Sequence, residues 1–253
     1  MQLHSFREQT ALHQQHTPEA IAERIGSTTS HSYWGDFILG AIDGAVTTFA
    51  IVAGAAGAEL AGGVALVLGL ANVLADGFSM AAGNFLKAQS DHLTLARFRR
   101  LEEMHIDKIP ESEREEIRQI FAAKGLSGDV LEQVVDTITD DRERWVNTML
   151  TEEWGLQLNP PDPRRAAIST FVAFVLVGLI PLAPLFFKGW ISAETIFTAC
   201  GVLTMATFAV VGWINGWLND RSPWRCCWET MLVGGAAAAL AYVVGVGLKA
   251  WAA

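Results

Sequence analysis

The chain has 253 residues, of which 51% are hydrophobic and 18% charged, and its formal net charge is −9. An acidic balance of that size excludes nucleic acid as a partner, because a phosphate backbone selects basic surfaces. The apolar excess is confined to a few long stretches, which excludes a wholly soluble protein and points to an all-α membrane protein carrying a polar helical insert.

Residues 1–35 are polar and lack the apolar core of a signal peptide. They are expected to form a mobile cytoplasmic arm in which His4, His13, His16 and His31 are solvated. Five segments then read as spanning helices, at about 36–58, 62–88, 166–187, 194–217 and 228–250. Each has roughly the 20 residues that a hydrocarbon core of about 30 Å requires. The domain plan is therefore spans one and two over 36–90, a soluble insert over 91–165, and spans three to five over 166–253. The insert holds eleven of the eighteen Lys and Arg residues, whereas only Lys188 and Lys249 fall on the opposite side. That asymmetry places the N-terminus and the insert in the cytoplasm and the C-terminus outside. Trp34, Trp217, Trp224 and Trp228 at one set of span ends, and Trp190 and Trp251 at the other, mark the membrane interfaces. Short loops and the lack of a targeting segment favour a bacterial inner membrane. Cys200, Cys226 and Cys227 build no disulfide framework and are expected to stay reduced thiols.

Two intramembrane residues stand out. Asp43 in span one carries a carboxylate that costs roughly 3 kcal/mol to place in a membrane, so such a group lines a polar path. Met80 in span two offers a soft thioether that suits transition metals better than sodium or calcium. Asp43 lies roughly 10 Å along its helix from Asp36, and Met80 roughly 16 Å from Asp91 on the oppositely directed helix, so both reach comparable depth. Gly40 and Gly44 form a small-xxx-small pair beside Asp43 that lets another helix approach closely.

The insert holds seventeen Asp and Glu residues. Span two is expected to continue as a helix to about Ile106, with further helices after a capping box at Ser112 to Glu115, after Ser127, and around Trp145 to Leu150. Donor groups recur at helical spacing. Glu102 and His105 share one face, Glu113 and Glu116 a second, and Met149, Glu152 and Glu153 a third. Three helices presenting such donors suit Fe(II), Mn(II), Co(II) or Zn(II) better than magnesium. The same spacing also suits solvated Glu–Arg pairs, with Arg100, Arg114, Arg118, Arg142 and Arg144 as available partners.

Several motifs taken together resemble the vacuolar iron transporter family of proton-coupled divalent-metal exporters, in a bacterial-type member. They are Leu39-Gly40-Ala41-Ile42-Asp43-Gly44, Ser79-Met80-Ala81-Ala82-Gly83, the run from Ile109 to Ile117, Met149 to Leu156, and Gly178-Leu179-Ile180-Pro181-Leu182-Ala183-Pro184. The resemblance implies a homodimer in membrane lipid, a path between spans of both subunits lined by Asp43 and Met80, and export of Fe(II) from the cytosol against protons. It also implies a cytoplasmic metal-binding domain containing Glu102, Glu113, Glu116, Met149 and Glu153. The chain departs from the family pattern at His105, where a second Glu is usual, and at Asn84, where an acid often follows. Imidazole in place of carboxylate favours later first-row metals and makes affinity fall as His105 takes up a proton. Without an acid at Asn84, proton coupling rests on Asp43 or on Asp36 and Asp76.

No permanently bound cofactor is expected; the divalent transition metal is the substrate. Mn(II) is the alternative ion within the same mechanism. A non-transporting metal sensor leaves Asp43 and Met80 unexplained, and a di-iron ferroxidase needs two Glu-x-x-His motifs where the insert offers only the one ending at His105.

Overall fold

The computed structural model describes residues 16–26, 31–187, 189, 190 and 192–252. His4, His13 and Lys188 lie outside them. The chain divides into Met1–Ser32 and Tyr33–Ala253. In the first unit, Pro18–Gly26 forms helix α1. The second unit is built from α2 (Trp34–Gly57), α3 (Gly62–Lys108), α4 (Pro110–Ala123), α5 (Gly128–Thr139), α6 (Arg142–Glu152), α7 (Pro163–Gly178), a 3-10 segment (Ile180–Phe187), α8 (Ala193–Leu218) and α9 (Pro223–Ala252). Among the described residues there is no strand.

Among the described residues, five helices are long and apolar enough to cross a membrane: α2, α3, α7 with its 3-10 extension, α8 and α9. They turn large apolar side chains outward, including Phe78, Leu74, Leu240 and Val243. A hydrocarbon solvent accepts such a surface because the helices satisfy their own backbone hydrogen bonds. The tryptophans at the span ends (Trp34, Trp190, Trp217, Trp224, Trp228 and Trp251) are all exposed.

Helix α2 touches every other span, and glycine sets how closely. A Cβ at Gly40 would lie 2.3 Å from the Thr170 carbonyl oxygen, and one at Gly44 would lie 2.5 Å from that of Phe174. The close partner expected from this glycine pair is therefore α7. On the other side, a Cβ at Gly57 would meet the Tyr242 carbonyl oxygen at 2.3 Å, and one at Gly245 would meet the Gly54 carbonyl oxygen at 2.2 Å. Backbone-to-backbone packing of this kind holds α2, and Asp43 with it, closely against α7 and α9.

Span three is broken where a single helix was expected. α7 ends at Gly178 and the chain continues to Phe187 as a 3-10 helix. Pro181 and Pro184 lack the N–H that would bond one turn back, and their rings clash with an α-helical preceding turn. Helix α3 is the opposite case, 47 residues without interruption. At 1.5 Å per residue it is about 70 Å long, enough to cross the bilayer and form the spine of the helical domain. It stops because Ile109 precedes Pro110 and takes φ −138°, ψ 50°, outside the helical region. Pro110 then occupies the first turn of α4, so that helix begins before the capping box expected at Ser112, and Ile109 supplies no side-chain cap. Further along, Asp141 caps α6 by accepting from the Arg144 N–H at 2.9 Å, and Asp162 caps α7 by accepting from the Arg165 N–H at 2.8 Å.

The helical domain has its own apolar core, made by Ile106, Ile117, Leu131, Val135, Ile138, Trp145, Val146, Met149 and Leu150. Each of its four helices contributes, so the donor-bearing faces of α3, α4 and α6 are held in fixed relation.

Gly44→Ala is expected to destabilise the protein by about 1–3 kcal/mol, the usual cost of overpacking. Gly235→Ala, where an added Cβ meets nothing within 4 Å, is expected to be neutral. Thermal unfolding of the detergent-solubilised variants checks the pair.

Candidate metal centre and membrane pathway

Glu102 and His105 come from α3 and Glu113 from the first turn of α4, and the Ile109–Pro110 corner folds the two helices together. One ligand atom from each of the three lies within 4.8 Å of the others. Glu102 and Glu113 are each only 1% exposed. His105 Nδ1 stands 3.2 Å from Glu113 Oε1, but not in hydrogen-bonding geometry, and both Glu113 oxygens are buried without a hydrogen-bond partner. Glu102 accepts one hydrogen bond, from Trp154 Nε1 to Oε1 at 2.8 Å, while its Oε2 is buried and unpartnered. A buried carboxylate left in this state costs several kcal/mol unless a proton or a cation answers it. Two carboxylates and an imidazole converging at ligand distance could hold a cation, and the nitrogen would shift preference from magnesium and calcium toward first-row transition metals.

Several cations of the domain are paired elsewhere. Arg142 pairs with Asp107, Arg118 with Glu115 and Glu132, and Arg114 with Asp136. The solvated-pair alternative is thus correct for these acids, and it does not extend to Glu102 or Glu113. Glu116 and Glu153 lie close enough to add their negative charge to the cluster. Met149 is fully buried among apolar side chains of the domain core. Glu152 is exposed and forms an ion pair with Lys124, so the structure does not bring it into the cluster.

A second set of polar groups runs into the membrane. Asn72, Asp76, Met80 and Asn84 recur four residues apart on α3 and form one stripe about 18 Å long. Helix α2 supplies the facing groups. Asn84 Nδ2 donates to Asp36 Oδ1 at 2.8 Å and to Thr170 Oγ1 at 2.8 Å, joining three spans at the end nearest the helical domain. Asp43 and Asp76 lie close enough for their charges to repel. One turn farther, Asn72 Nδ2 reaches Thr47 Oγ1 at 3.4 Å, and Thr47 donates to the Asp43 carbonyl oxygen at 2.8 Å. Asp36, Asp43, Asp76, Met80 and Asn84 are all half-buried. Glu102 lies 18 residues beyond Asn84, five helical turns or about 27 Å along the same side of α3. Cluster and stripe therefore share one rigid element.

Sequence reasoning missed Trp154, Asn72, Thr47 and Thr170. Only Asn72 carried a usable signal, as an amide one turn from Asp76 within an apolar span.

Burial, reinforced by Glu116 and Glu102, raises the Glu113 pKa to about 8. Partial desolvation, with the charges of Glu102 and Glu116, raises that of Glu153 to about 7, although the residue as a whole is exposed. Both exceed the 4.5 of an unperturbed Glu, so the folded metal-free protein holds protons that the unfolded chain releases. The stability linked to these groups is complete below pH 4.5 and is lost as the pH rises through about 7 to 8. Metal-free protein is expected to melt at progressively lower temperature across that window, and added Co(II) to reverse the loss most strongly at its upper end; differential scanning fluorimetry from pH 5 to 9 checks this. In isothermal titration with Co(II), Glu113→Gln is expected to weaken binding by at least about tenfold, while Glu152→Gln leaves it unchanged.

The VIT family profile matches residues 34–246, from the start of α2 nearly to the end of α9. The chain is 33% identical over 210 residues to Vacuolar iron transporter 1 of Eucalyptus grandis, covering 82% of this chain and 83% of the relative. It is 33% identical over 210 residues to Vacuolar iron transporter 1 of Arabidopsis thaliana, covering 82% of both chains. Against the Vacuolar iron transporter of Toxoplasma gondii it is 32% identical over 229 residues, or 87% of this chain and 75% of the relative. With five apolar helices, a polar intramembrane stripe and a converging donor cluster, this integral membrane protein belongs to the VIT family and is a metal ion transporter.

Proposed function

We propose that the protein is a homodimeric antiporter that exports Fe(II) from the cytosol in exchange for protons, with the helical domain capturing the ion on the cytoplasmic side. The observation that carries this reading is the placement of unpartnered carboxylate oxygens at Glu102 and Glu113 on and beside a helix that runs unbroken into the membrane stripe. Iron as substrate is supported by the names of the relatives, and capture on the cytoplasmic side by the concentration of Lys and Arg in the same domain. The membrane expected from the sequence, a bacterial inner membrane, makes that direction an exit from the cell.

The domain concentrates the ion near the mouth of the path, and Asp36 receives it at the junction of three spans. Asp43, Asp76 and Met80 then replace part of the hydration shell. A carboxylate binds a proton or a metal ion but not both at one oxygen pair, so a proton arriving at Asp43 or Asp76 from the acidic side displaces the metal toward that side. Asn84 binds neither, so it orients Asp36 and leaves coupling to the aspartates. Mn(II), with the same charge and preference for oxygen and nitrogen, is the competing substrate. No enzymatic step belongs to this scheme.

Reconstituted into proteoliposomes, the protein is expected to take up Fe(II) in response to an imposed proton gradient, with Mn(II) measured in parallel. Asp43→Ala is expected to abolish uptake while leaving the melting temperature and Co(II) binding of the helical domain intact. Metal movement indifferent to the gradient would sink the exchange mechanism, and normal uptake by a folded Asp43→Ala protein would remove Asp43 from the path.

A further inference from the structure

The acids of the helical domain differ in the kind of donor that holds them. Asp107, Glu115, Glu132, Asp136 and Glu152 are each held by an arginine or a lysine. Glu102 is held by the indole N–H of Trp154, 2.8 Å from Oε1. The chemical difference matters at a cation site. A guanidinium or ammonium would fix the carboxylate but also cancel the charge a metal ion needs. An indole fixes it and stays neutral, and its nitrogen donates without offering a lone pair, so it cannot itself become a ligand.

The backbone is shaped to deliver that donor. At the end of α6, the N–H groups of Glu153 and Trp154 both reach the Met149 carbonyl oxygen, at 3.0 and 3.3 Å, and Leu156 returns to Leu150 at 2.9 Å. Gly155 makes the turn possible at φ +62°, in the left-handed region that favours glycine. The indole then lies against Phe98, with ring centroids 4.2 Å apart, and Phe98 sits one turn before Glu102 on α3. A side chain with two torsions, fixed by a turn behind and a ring beneath, gives the carboxylate little freedom to rotate.

We propose that Trp154 is the positioning residue of the metal centre: by occupying Oε1 of Glu102 it leaves Oε2 as the single oxygen presented to the ion, and so sets selectivity for small transition-metal ions over calcium. Calcium favours six to eight oxygens and readily takes both oxygens of one carboxylate, whereas first-row ions accept fewer ligands. Freed from the indole, Glu102 turns both oxygens inward and the site admits the larger ion. This inference rests on the reading of Glu102, His105 and Glu113 as a metal centre.

The test uses the full chain in detergent, titrated with Co(II) and with Ca(II) by calorimetry, while Co(II) ligand-field absorption reports coordination number. In Trp154→Phe, Co(II) affinity is expected to fall by about tenfold, the Co(II)-over-Ca(II) preference to narrow, and the absorption to weaken as coordination number rises. Replacing Trp154 by its benzothiophene analogue keeps the fused-ring shape and exchanges the N–H donor for a sulfur that cannot donate, and should reproduce all three changes without loss of melting temperature. Trp154→Arg restores a hydrogen bond to Glu102 but adds a charge, and should weaken Co(II) binding further than Phe does. An isostere with the wild-type preference and spectrum would overturn the role of Trp154 while leaving the centre standing. Wild-type protein that binds no Co(II) would overturn the centre and this inference with it.

Discussion

Negative charge held together without protein cations is the constraint around which the helical domain is built. Two unit charges 4.8 Å apart, the outer limit among the clustered ligand atoms, repel by about 3 kcal/mol at the effective dielectric of a protein. Removal from water, together with the charges of Glu116, Glu102 and Glu153, drives Glu113 toward its protonated form. The apolar core holds these carboxylates together against their repulsion. Ile106 and Ile117 sit one turn beyond Glu102 and Glu113 and are almost wholly buried, so each acid is tied to its position by an apolar neighbour on the same helix face. Keeping the arginines on the outer surface preserves that unanswered charge.

Helix α3 connects this cluster to the bilayer. Because it continues without a break from Gly62 to Lys108, the spacing between Glu102 and Asn84 is set by helix geometry and does not depend on a flexible linker. The glycine contacts of α2 with α7 and α9 perform the corresponding task inside the membrane. They set the position of α2, which carries Asp36 and Asp43, by backbone contact with its neighbours. Span three, by contrast, loses its α-helical ladder at Pro181 and Pro184 and is the least regular of the five spans.

What could be read from the amino-acid order follows from which forces are local. Hydropathy and helix length are properties of contiguous residues, so all five spans and the polar helical segment between the second and third were legible, as was the position of Asp43 within an apolar span. Helical spacing placed Glu102 with His105 and Glu113 with Glu116 for the same reason. The choice between metal site and ion-pair lattice was not legible. Arg114 and Arg118 lie in the same helix as Glu113 and Glu116, and only the packing of α4 on α5 draws them to Asp136 and Glu132. Glu152 and Glu153 are adjacent and chemically alike, yet the end of α6 sends one to Lys124 and brings the other within the field of Glu102. The Trp154–Glu102 bond spans 52 positions and depends on a glycine turn. The start of α4 was misplaced because the fixed φ of Pro110, at the first turn, outweighs the capping box that follows it.

Capture and conduction ask opposite things of a ligand set, and the two sites differ accordingly. In the proposed scheme, a captured ion must displace protons from a charge-dense cluster. Because Glu113 and Glu153 hold protons up to about pH 8 and 7, metal binding near neutral pH carries a proton-release cost that keeps affinity from becoming a trap. A moving ion instead needs several weak positions in series. The α3 stripe alternates charged and neutral donors: Asn84 beside Asp36, then Met80, then Asp76 beside Asp43, then Asn72 beside Thr47. Only one level brings two carboxylates together, and amide or thioether levels flank it. An ion leaving that level meets neutral groups on either side, so no deep well lies next to another. Two carboxylates share one depth, with a thioether on one side and amide and hydroxyl donors on the other. That sets the Asp43–Asp76 level apart from the single carboxylate of Asp36 and makes it the point where metal and proton would compete in the proposed exchange.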